Sequence, residues 1–145
     1  MFVDIVAKGG NLVLIINLDG QGALPELQEN RLIDIGKWLK VNGEGIYSTR
    51  PFTRQIDGSV AFICSKDNQY VYAIIKECPG QEFHMKDINA DKGSKIELLG
   101  YGKPLEWINE KEGSVVKLPI QLQDESNRPS EHVWVLKIKM NATSL

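Results

Sequence analysis

The chain has 145 residues, of which 42% are hydrophobic and 25% are charged, and its formal net charge is −2. These values are typical of a globular protein, and the length suffices for one domain with a core of ordinary size. A complete (β/α)8 barrel, which needs about 250 residues, is excluded. The near-neutral charge offers no basic field for nucleic acid or for an anionic membrane surface, so we expect neither as a partner.

The N-terminal sequence, MFVDIVAKGG, has no basic region and no small-residue cleavage site, so no secretory signal is predicted. The longest apolar run, residues 12–16, is far shorter than the roughly 20 residues that span a bilayer. The residues themselves leave open whether Met1 is the native start of the protein.

The first part of the chain alternates helix and strand signals. Phe2, Ile5 and Val6 have helical spacing, and Gly9–Gly10 provides a stop. Residues 12–16, Leu-Val-Leu-Ile-Ile, then predict a strand that is buried on both faces.

A glycine-containing loop, DGQG at residues 19–22, separates this strand from a second predicted helix. Pro25 suits its first position, and Glu26 and Glu29 suit the opening turn, where the helix dipole favours acidic side chains. Asn42–Gly43 ends the helix. The spacing predicts a buried stripe formed by Leu32, Ile35, Trp38 and Leu39.

From about residue 52 onward the pattern is one of short strands separated by Gly, Pro, Asn and Asp. Seven strands at this spacing predict an antiparallel β-sandwich. The polar residues 123–131 predict a mobile surface loop. The predicted strands are residues 60–65, 70–76, 82–86, 95–99, 105–110, 114–118 and 133–140.

The two cysteines, Cys64 and Cys78, are predicted to be free thiols, each partly buried. A hairpin that turns at Asp67–Asn68 would set Cys64 opposite Ala73 and Cys78 opposite Ser59, roughly 17 Å apart. A disulfide requires Cα atoms within about 7 Å. The redox compartment stays open.

Two stretches resemble a known family. Residues 36–51, GKWLKVNGEGIYSTRP, with the run that precedes them from Gly9, resemble the segment that closes the catalytic barrel of the retaining α-L-fucosidases, glycoside hydrolase family 29. Leu98–Leu99–Gly100, the pair Leu105 and Trp107, and Leu118–Pro119 resemble corners and strands of the C-terminal sandwich of that family. One departure lies at residues 15–18, Ile-Ile-Asn-Leu, where many members read Asn-Ile-Gly-Pro.

The resemblance implies the C-terminal portion of such an enzyme. Residues 1–51 would then be the terminal strand and helix of a (β/α)8-type barrel, and residues 52–145 a C-terminal β-sandwich domain. The predicted fold class is therefore mainly β, an antiparallel sandwich preceded by a short α/β remnant made of a helix end, a strand and a helix.

A retaining glycosidase needs two carboxyl groups about 5–5.5 Å apart. In the family these are an Asp and a Glu that come before the matching segment, so the resemblance implies no catalytic residue here. Glu26 and Glu29 are explained by the helix dipole, and Glu44 by a loop after the helix. Asn17 and Asp19 are the predicted substrate-binding residues, because they follow a putative barrel strand and barrel enzymes place their sites at that end. The alternative for Asp19 is a turn-forming role before Gly20.

The remaining candidates favour structural roles. His84 and His132 have no spacing that indicates a metal site, and no cofactor is predicted. Trp107 and Trp134 are predicted to pack in the sandwich core, with stacking on a sugar ring as the alternative. Asn141-Ala142-Thr143 fits a glycosylation sequon, for which chance is the simpler explanation.

The predicted function is that of a C-terminal fragment of an α-L-fucosidase. The parent enzyme would hydrolyse α-L-fucosyl linkages in glycans with retention, and this chain, inactive alone, would supply the structural sandwich. Its expected partners are a fucosylated glycan, through the parent enzyme, and either a second copy of the chain or the missing barrel half. The alternative is a free-standing carbohydrate-binding or protein-interaction β-sandwich module. Family members are usually secreted, periplasmic or lysosomal, and localisation stays open.

Overall fold

A computed structural model describes residues 1–140, the side chain of Arg54 excepted. The sequon at Asn141 lies outside the described residues. No helix among residues 1–140 is long and apolar enough to cross a membrane. The elements are helices α1 Phe2–Ala7 and α2 Glu26–Asn42, and strands β1 Thr49–Asp57, β2 Val60–Ser65, β3 Tyr70–Ile75, β4 Glu82–Lys86, β5 Ile96–Leu98, β6 Pro104–Glu110, β7 Gly113–Lys117 and β8 Trp134–Lys139.

The strands confirm the predicted antiparallel β architecture. They hydrogen-bond in the order β1-β2-β3-β8-β5-β6-β7-β4, and every paired neighbour is antiparallel. All seven predicted strands are present, each within one residue of its predicted ends. Apolar side chains from all eight strands meet in one inner core, so the sheet curls over itself as a sandwich does. The inner core includes Phe52, Phe62, Val71, Phe83, Ile96, Leu105, Val116 and Leu136.

A second, outer core lies on the opposite face of β2, β3 and β8. Because β2 and β3 send side chains into both cores, they are buried on both faces, and their sequences are nearly all apolar. The outer core consists of Val3, Ala7, Ala61, Ile63, Tyr72, Ile74 and Val135.

Helix α1 covers this outer core. Val3 and Ala7, four residues apart, lie on one helical face and are buried. The Asp4 carboxylate accepts a hydrogen bond from Lys76 Nζ at 2.9 Å, just beyond the end of β3. Gly9, at φ 79°, ends the helix with its N–H donated to the Val6 carbonyl.

The strand predicted at residues 12–16 is wrong for this chain. These residues have no regular secondary structure, and no backbone hydrogen bond joins them to another of residues 1–140. A strand requires a neighbour that satisfies its N–H and C=O groups. The eight strands of the sheet pair among themselves, and neither edge strand, β1 or β4, pairs with this segment.

The buried stripe predicted for α2 is also wrong. Ile35 is exposed, and Leu32, Trp38 and Leu39 are only half-buried. The single buried residue of the helix is Asn42, at its C-terminal end. The helix begins at Glu26, one residue later than predicted, with Pro25 at the N-cap. Periodicity correctly predicted the helix, but the surface that would cover its apolar side chains is absent from the described residues.

Strand β1 was not predicted. It contains Pro51, is interrupted by a register shift between Pro51 and Ile56, and lies at one edge of the sheet, where proline is tolerated. The division of the chain at residue 51 stays a prediction, and β1 runs through that position.

The register predicted for the β2–β3 hairpin is wrong by two positions. Cys64 pairs with Val71, and Ala73 pairs with Phe62, because Asn68 at φ 60° closes a tighter turn. Both cysteines are free, as predicted, but Cys64 is buried and Cys78 is exposed.

The segment predicted as a mobile loop, residues 123–131, carries hydrogen bonds of its own, and its mobility stays a prediction. It overlaps the 3-10 turn Ile120–Gln123 and contains a second one, Glu125–Asn127. The Arg128 guanidinium donates to the carbonyls of Leu122 and Gln123, at 3.2 and 3.0 Å.

Candidate functional site

The main candidate for a functional feature is a solvent-exposed apolar segment, residues 12–18, which connects α1 to α2. Val13 and Ile15 are 81% and 85% exposed, whereas Leu14 and Ile16 are 48% and 46% exposed. This alternation has the period of two that a strand shows. A run of large apolar side chains in solvent marks an interaction surface. We call residues 12–18 the apolar segment.

The segment is held at its C-terminal end by polar contacts. The Asn17 backbone N–H donates to Gln28 Oε1 of α2 at 3.1 Å. Asp19 Oδ1 accepts the backbone N–H groups of Gln21 and Ala23, each at 2.8 Å. Asp19 therefore closes a turn, which is the alternative role that the sequence indicated for it.

Asn17 and Asp19 are both exposed and lie at the C-terminal end of the segment and just beyond it, but their side chains differ in availability. The Asp19 carboxylate is occupied by the turn, whereas Asn17 is anchored through its main chain. A role for either in binding sugar stays a prediction.

A cleft of about 410 Å³ opens between the two helices and the start of β8. Trp38 forms one wall: its ring meets Phe2 edge-on, with centroids 6.3 Å apart, and its Nε1 donates to the Val133 carbonyl at 2.9 Å. Met1 and Ile35 leave further apolar surface open. Apolar groups on both helices are thus left uncovered at this cleft.

A polar network fixes the end of α2 to the outer face of the sheet. Glu44, in the 3-10 turn Gly43–Gly45, accepts the Tyr72 hydroxyl at 3.0 Å and forms an ion pair with Lys137. Burial, together with this hydrogen bond to Glu44, raises the pKa of Tyr72 above its usual range. Burial by itself would lower the pKa of Lys137, but the hydrogen bond to Glu44 and the negative charge of Glu44, with smaller contributions from Tyr70 and Glu97, together outweigh burial and raise that pKa. The Lys137 ammonium also lies over the Tyr70 ring, 4.4 Å from the centroid.

The carboxylates considered for catalysis have structural roles. Glu26 and Glu29 lie in the first turn of α2, where the dipole favours them. Glu44 belongs to the network described above. These positions agree with the structural interpretation of all three residues.

The tryptophans predicted for the core are found there. Trp134 is buried in the inner core, and the Arg128 guanidinium lies 5.9 Å from its ring centroid. Trp107 is half-buried, packs against the same core and donates Nε1–H to the Ser94 carbonyl at 3.2 Å. Neither ring forms an open platform for a sugar. Among residues 1–140 no cluster of His, Cys, Asp or Glu has the arrangement of a metal site.

Two features were missed from sequence: the cleft and the Glu44 network. The network had a detectable signal, since Lys137 interrupts the apolar run of β8 and Tyr72 the run of β3. A charged side chain in a doubly buried strand requires a partner. The cleft had no such signal, because it depends on how α1 and α2 pack.

The fold is thus an antiparallel β-sandwich. It carries an exposed apolar segment whose side chains alternate as in a strand, and a helix, α2, whose apolar side chains are exposed or only half-buried. Comparisons with known proteins agree with this arrangement. Residues 1–44 match the family model described as alpha-L-fucosidase, and residues 54–139 match that of the alpha-L-fucosidase C-terminal domain.

The relatives that the chain matches are named as alpha-L-fucosidases. The chain is 39% identical to the plasma alpha-L-fucosidase of Rattus norvegicus over 123 residues, which covers 81% of this chain and 27% of the relative. It is 30% identical to the alpha-L-fucosidase of Branchiostoma floridae over 142 residues, covering 96% and 31%. The solved structure of the Thermotoga maritima alpha-fucosidase in complex with fucose superposes with a TM-score of 0.77 at 27% identity, covering 94% and 32%.

The chain belongs to the α-L-fucosidase family and corresponds to the C-terminal region of its members. It spans about 30% of the length of the curated relatives and solved structures that it matches.

Proposed function

We propose that a protein with this chain as its C-terminal portion hydrolyses α-L-fucosyl linkages in glycans with retention. The support comes from the family matches over both parts of the chain and from the fucose bound in the superposable Thermotoga maritima structure. The two carboxyl groups of such a reaction would come from the rest of that protein, since Glu26, Glu29 and Glu44 have structural roles here.

The role of this portion is to brace the catalytic barrel. The observation that carries this proposal is the exposed apolar segment, whose alternating side chains suit a strand covered on both sides. In the whole protein the neighbouring barrel strand would satisfy its backbone groups. The Glu44 network would set the angle at which α2 and the segment leave the sandwich. Asn17, at the C-terminal end of the segment, would then lie near the sugar site.

A free-standing glycan-binding module is not favoured. Binding modules for sugars need exposed aromatic faces, whereas Trp134 is buried and Trp107 packs on the inner core. Both rings also use polar contacts to hold the sandwich together, through Arg128 and Ser94.

The test is hydrolysis of an aryl α-L-fucoside by the purified chain, with a full-length fucosidase as the positive control. We expect no turnover above background, because the required carboxylate pair is missing. Turnover that survives purification and is abolished by Glu44→Gln or Glu29→Gln would contradict the proposal. Retention on a fucosylated glycan column that is lost in Trp107→Ala, with stability unchanged, would instead support the binding module.

A further inference from the structure

Asn42 and Gly43, where α2 meets the 3-10 turn Gly43–Gly45, form the one Asn-Gly pair in the 145-residue sequence. In such a pair the glycine backbone nitrogen can attack the asparagine side-chain carbon Cγ, because glycine has no Cβ to shield the nitrogen or to restrict the backbone. The attack closes a five-membered succinimide ring and releases ammonia. Water then opens the ring and leaves aspartate or isoaspartate, so a neutral amide becomes a negative carboxylate.

The folded chain holds this pair in a conformation that cannot react. Ring closure requires the Gly43 nitrogen to eclipse Cβ of Asn42 about the Cα–C bond. In the structure ψ of Asn42 is 1°, so the nitrogen eclipses the backbone N instead. It must rotate by roughly 120°, because substituents on a tetrahedral carbon are spaced that far apart. The rotation also breaks the hydrogen bond from Gly43 N–H to the Leu39 carbonyl.

Contacts with the sandwich on both sides of this bond oppose the rotation. On the helix side, Trp38 Nε1 donates to the Val133 carbonyl at 2.9 Å. On the other side, Glu44 accepts the Tyr72 hydroxyl at 3.0 Å and forms its ion pair with Lys137. Because the rotation swings α2 relative to the 3-10 turn, one of these attachments must release before the ring can close. All of these groups belong to the described residues, so the restraint is a property of this chain itself.

The aspartate that the reaction leaves does not fit the place of Asn42. Asn42 is only 1% exposed, and its Nδ2 donates to the Trp38 carbonyl at 3.2 Å. An aspartate oxygen at that position would face the carbonyl oxygen with no hydrogen to donate. Its charge would also be buried at the C-terminal end of a helix, where the dipole opposes it. Isoaspartate lengthens the backbone by one methylene group, which shifts Gly43 away from the Leu39 carbonyl.

We propose that Asn42 is a deamidation site which the Glu44 network protects, and that the product prevents the end of α2 from packing on the sandwich again. Opening of the last helical turn permits the rotation, and the rate of reaction follows the population of that open state. Because ammonia is lost, the change accumulates with time. The strands stay folded, since neither core contains Asn42 or Gly43. The proposal does not rest on the proposed activity.

The first test follows deamidation by mass spectrometry of the tryptic peptide that begins at Val41, during incubation in mildly alkaline buffer. The reference is a synthetic peptide of residues 38–47, in which no fold protects the pair. Deamidation in the chain should be at least about tenfold slower than in this peptide. Equal rates in the chain and the peptide would overturn the proposal.

Variants of the Glu44 network show whether it provides the protection. Glu44→Ala should raise the rate at least about threefold relative to a peptide with the same substitution. The matched control is Glu26→Ala, at the opposite end of α2, which should leave the rate unchanged. Tyr72→Phe removes a single hydroxyl and should give a smaller increase, and it replaces Glu44→Ala if that variant unfolds. A wild-type rate in the folded variants would show that the network does not protect Asn42 and would overturn the proposal.

The second test concerns the product and uses hydrogen exchange of Asn42→Asp. The Gly43 amide should lose protection at least about tenfold, whereas the amide of Val71 in β3 should keep it. Asn42→Leu, which is neutral and of similar size, should lose less, because it buries no charge. Wild-type protection of Gly43 in Asn42→Asp, or equal losses in both variants, would show that the aspartate charge does not hold the turn open and would contradict the proposal.

Discussion

Gly100 occupies a corner in which a side chain has no room. Its φ is +83°, a left-handed conformation, and an added Cβ would lie 2.6 Å from Val41 Cγ1 and 2.9 Å from Pro129 Cβ. The corner thus brings β5, the end of α2 and the segment before β8 together. Glycine is required here for the backbone conformation and also for the close approach.

Gly100→Ala should lower the free energy of unfolding by about 2–5 kcal/mol, which combines left-handed strain of about 1–2 kcal/mol with overpacking of about 1–3 kcal/mol. Gly102→Ala is the matched control, since Gly102 has φ +77° and open space around its Cα. It should lose only the strain contribution. Urea unfolding of both variants measures the difference, and equal losses would show that Val41 and Pro129 simply move aside.

At the scale of elements, the docking of α1 depends on one ion pair as well as on apolar contacts. The hydrogen bond from Lys76 is the main reason that the pKa of Asp4 is lowered, and burial opposes this effect without cancelling it. A carboxyl whose pKa is lower in the folded state stabilises that state when ionised. This stabilisation is fully present above the unfolded pKa, about 3.9, and is lost as pH falls through the folded value.

Wild type should therefore exceed Asp4→Asn in stability at about pH 5, and the gap should shrink toward about pH 2.5. Chemical unfolding across this range measures the gap, and the comparison cancels contributions from other carboxyl groups such as Asp67. Lys76→Met should remove the same pH-dependent part, because it deletes the partner. A gap that is constant with pH would show that the ion pair does not stabilise the docked helix.

At the scale of the whole molecule, stability is unevenly distributed. Strands β3 and β8 lie in the middle of the sheet and contribute to both cores, whereas the apolar segment contributes to neither. Local opening is least costly where buried contacts and hydrogen bonds are few. The molecule therefore combines a well-packed sandwich with an apolar segment that the described residues leave uncovered.

Hydrogen exchange in dilute solution should show this contrast between the sandwich and the apolar segment. The amides of residues 12–16 should exchange rapidly, and those of Val71, Ala73 and Leu136 should be among the slowest. Slow exchange of residues 12–16 at high dilution would mean that the chain covers the segment by itself.

Local pattern alone was enough to identify the seven strands that end up in the sandwich, and α1 and α2 as helices. Each of these depends on a periodicity that is complete within its own residues, together with turn residues at its ends. Asn17 and Asp19 were likewise selected as candidate site residues from their place after an apolar run. The structure shows the turn made by Asp19, and the sugar-binding role of both residues remains a prediction.

Tertiary structure decided the properties that depend on residues far away in the chain. Residues 12–16 have the composition of a buried strand but do not form one here, because no described segment pairs with them. Edge strand β1 contains Pro51 and forms a strand only through its hydrogen-bonded pairing with β2. The face of α2, the register of β2 and β3, and the Glu44 network are set by packing. Amino-acid sequence determined which segments could form regular structure, and long-range pairing and burial determined which of them did, because each backbone group needs a partner that local pattern does not specify.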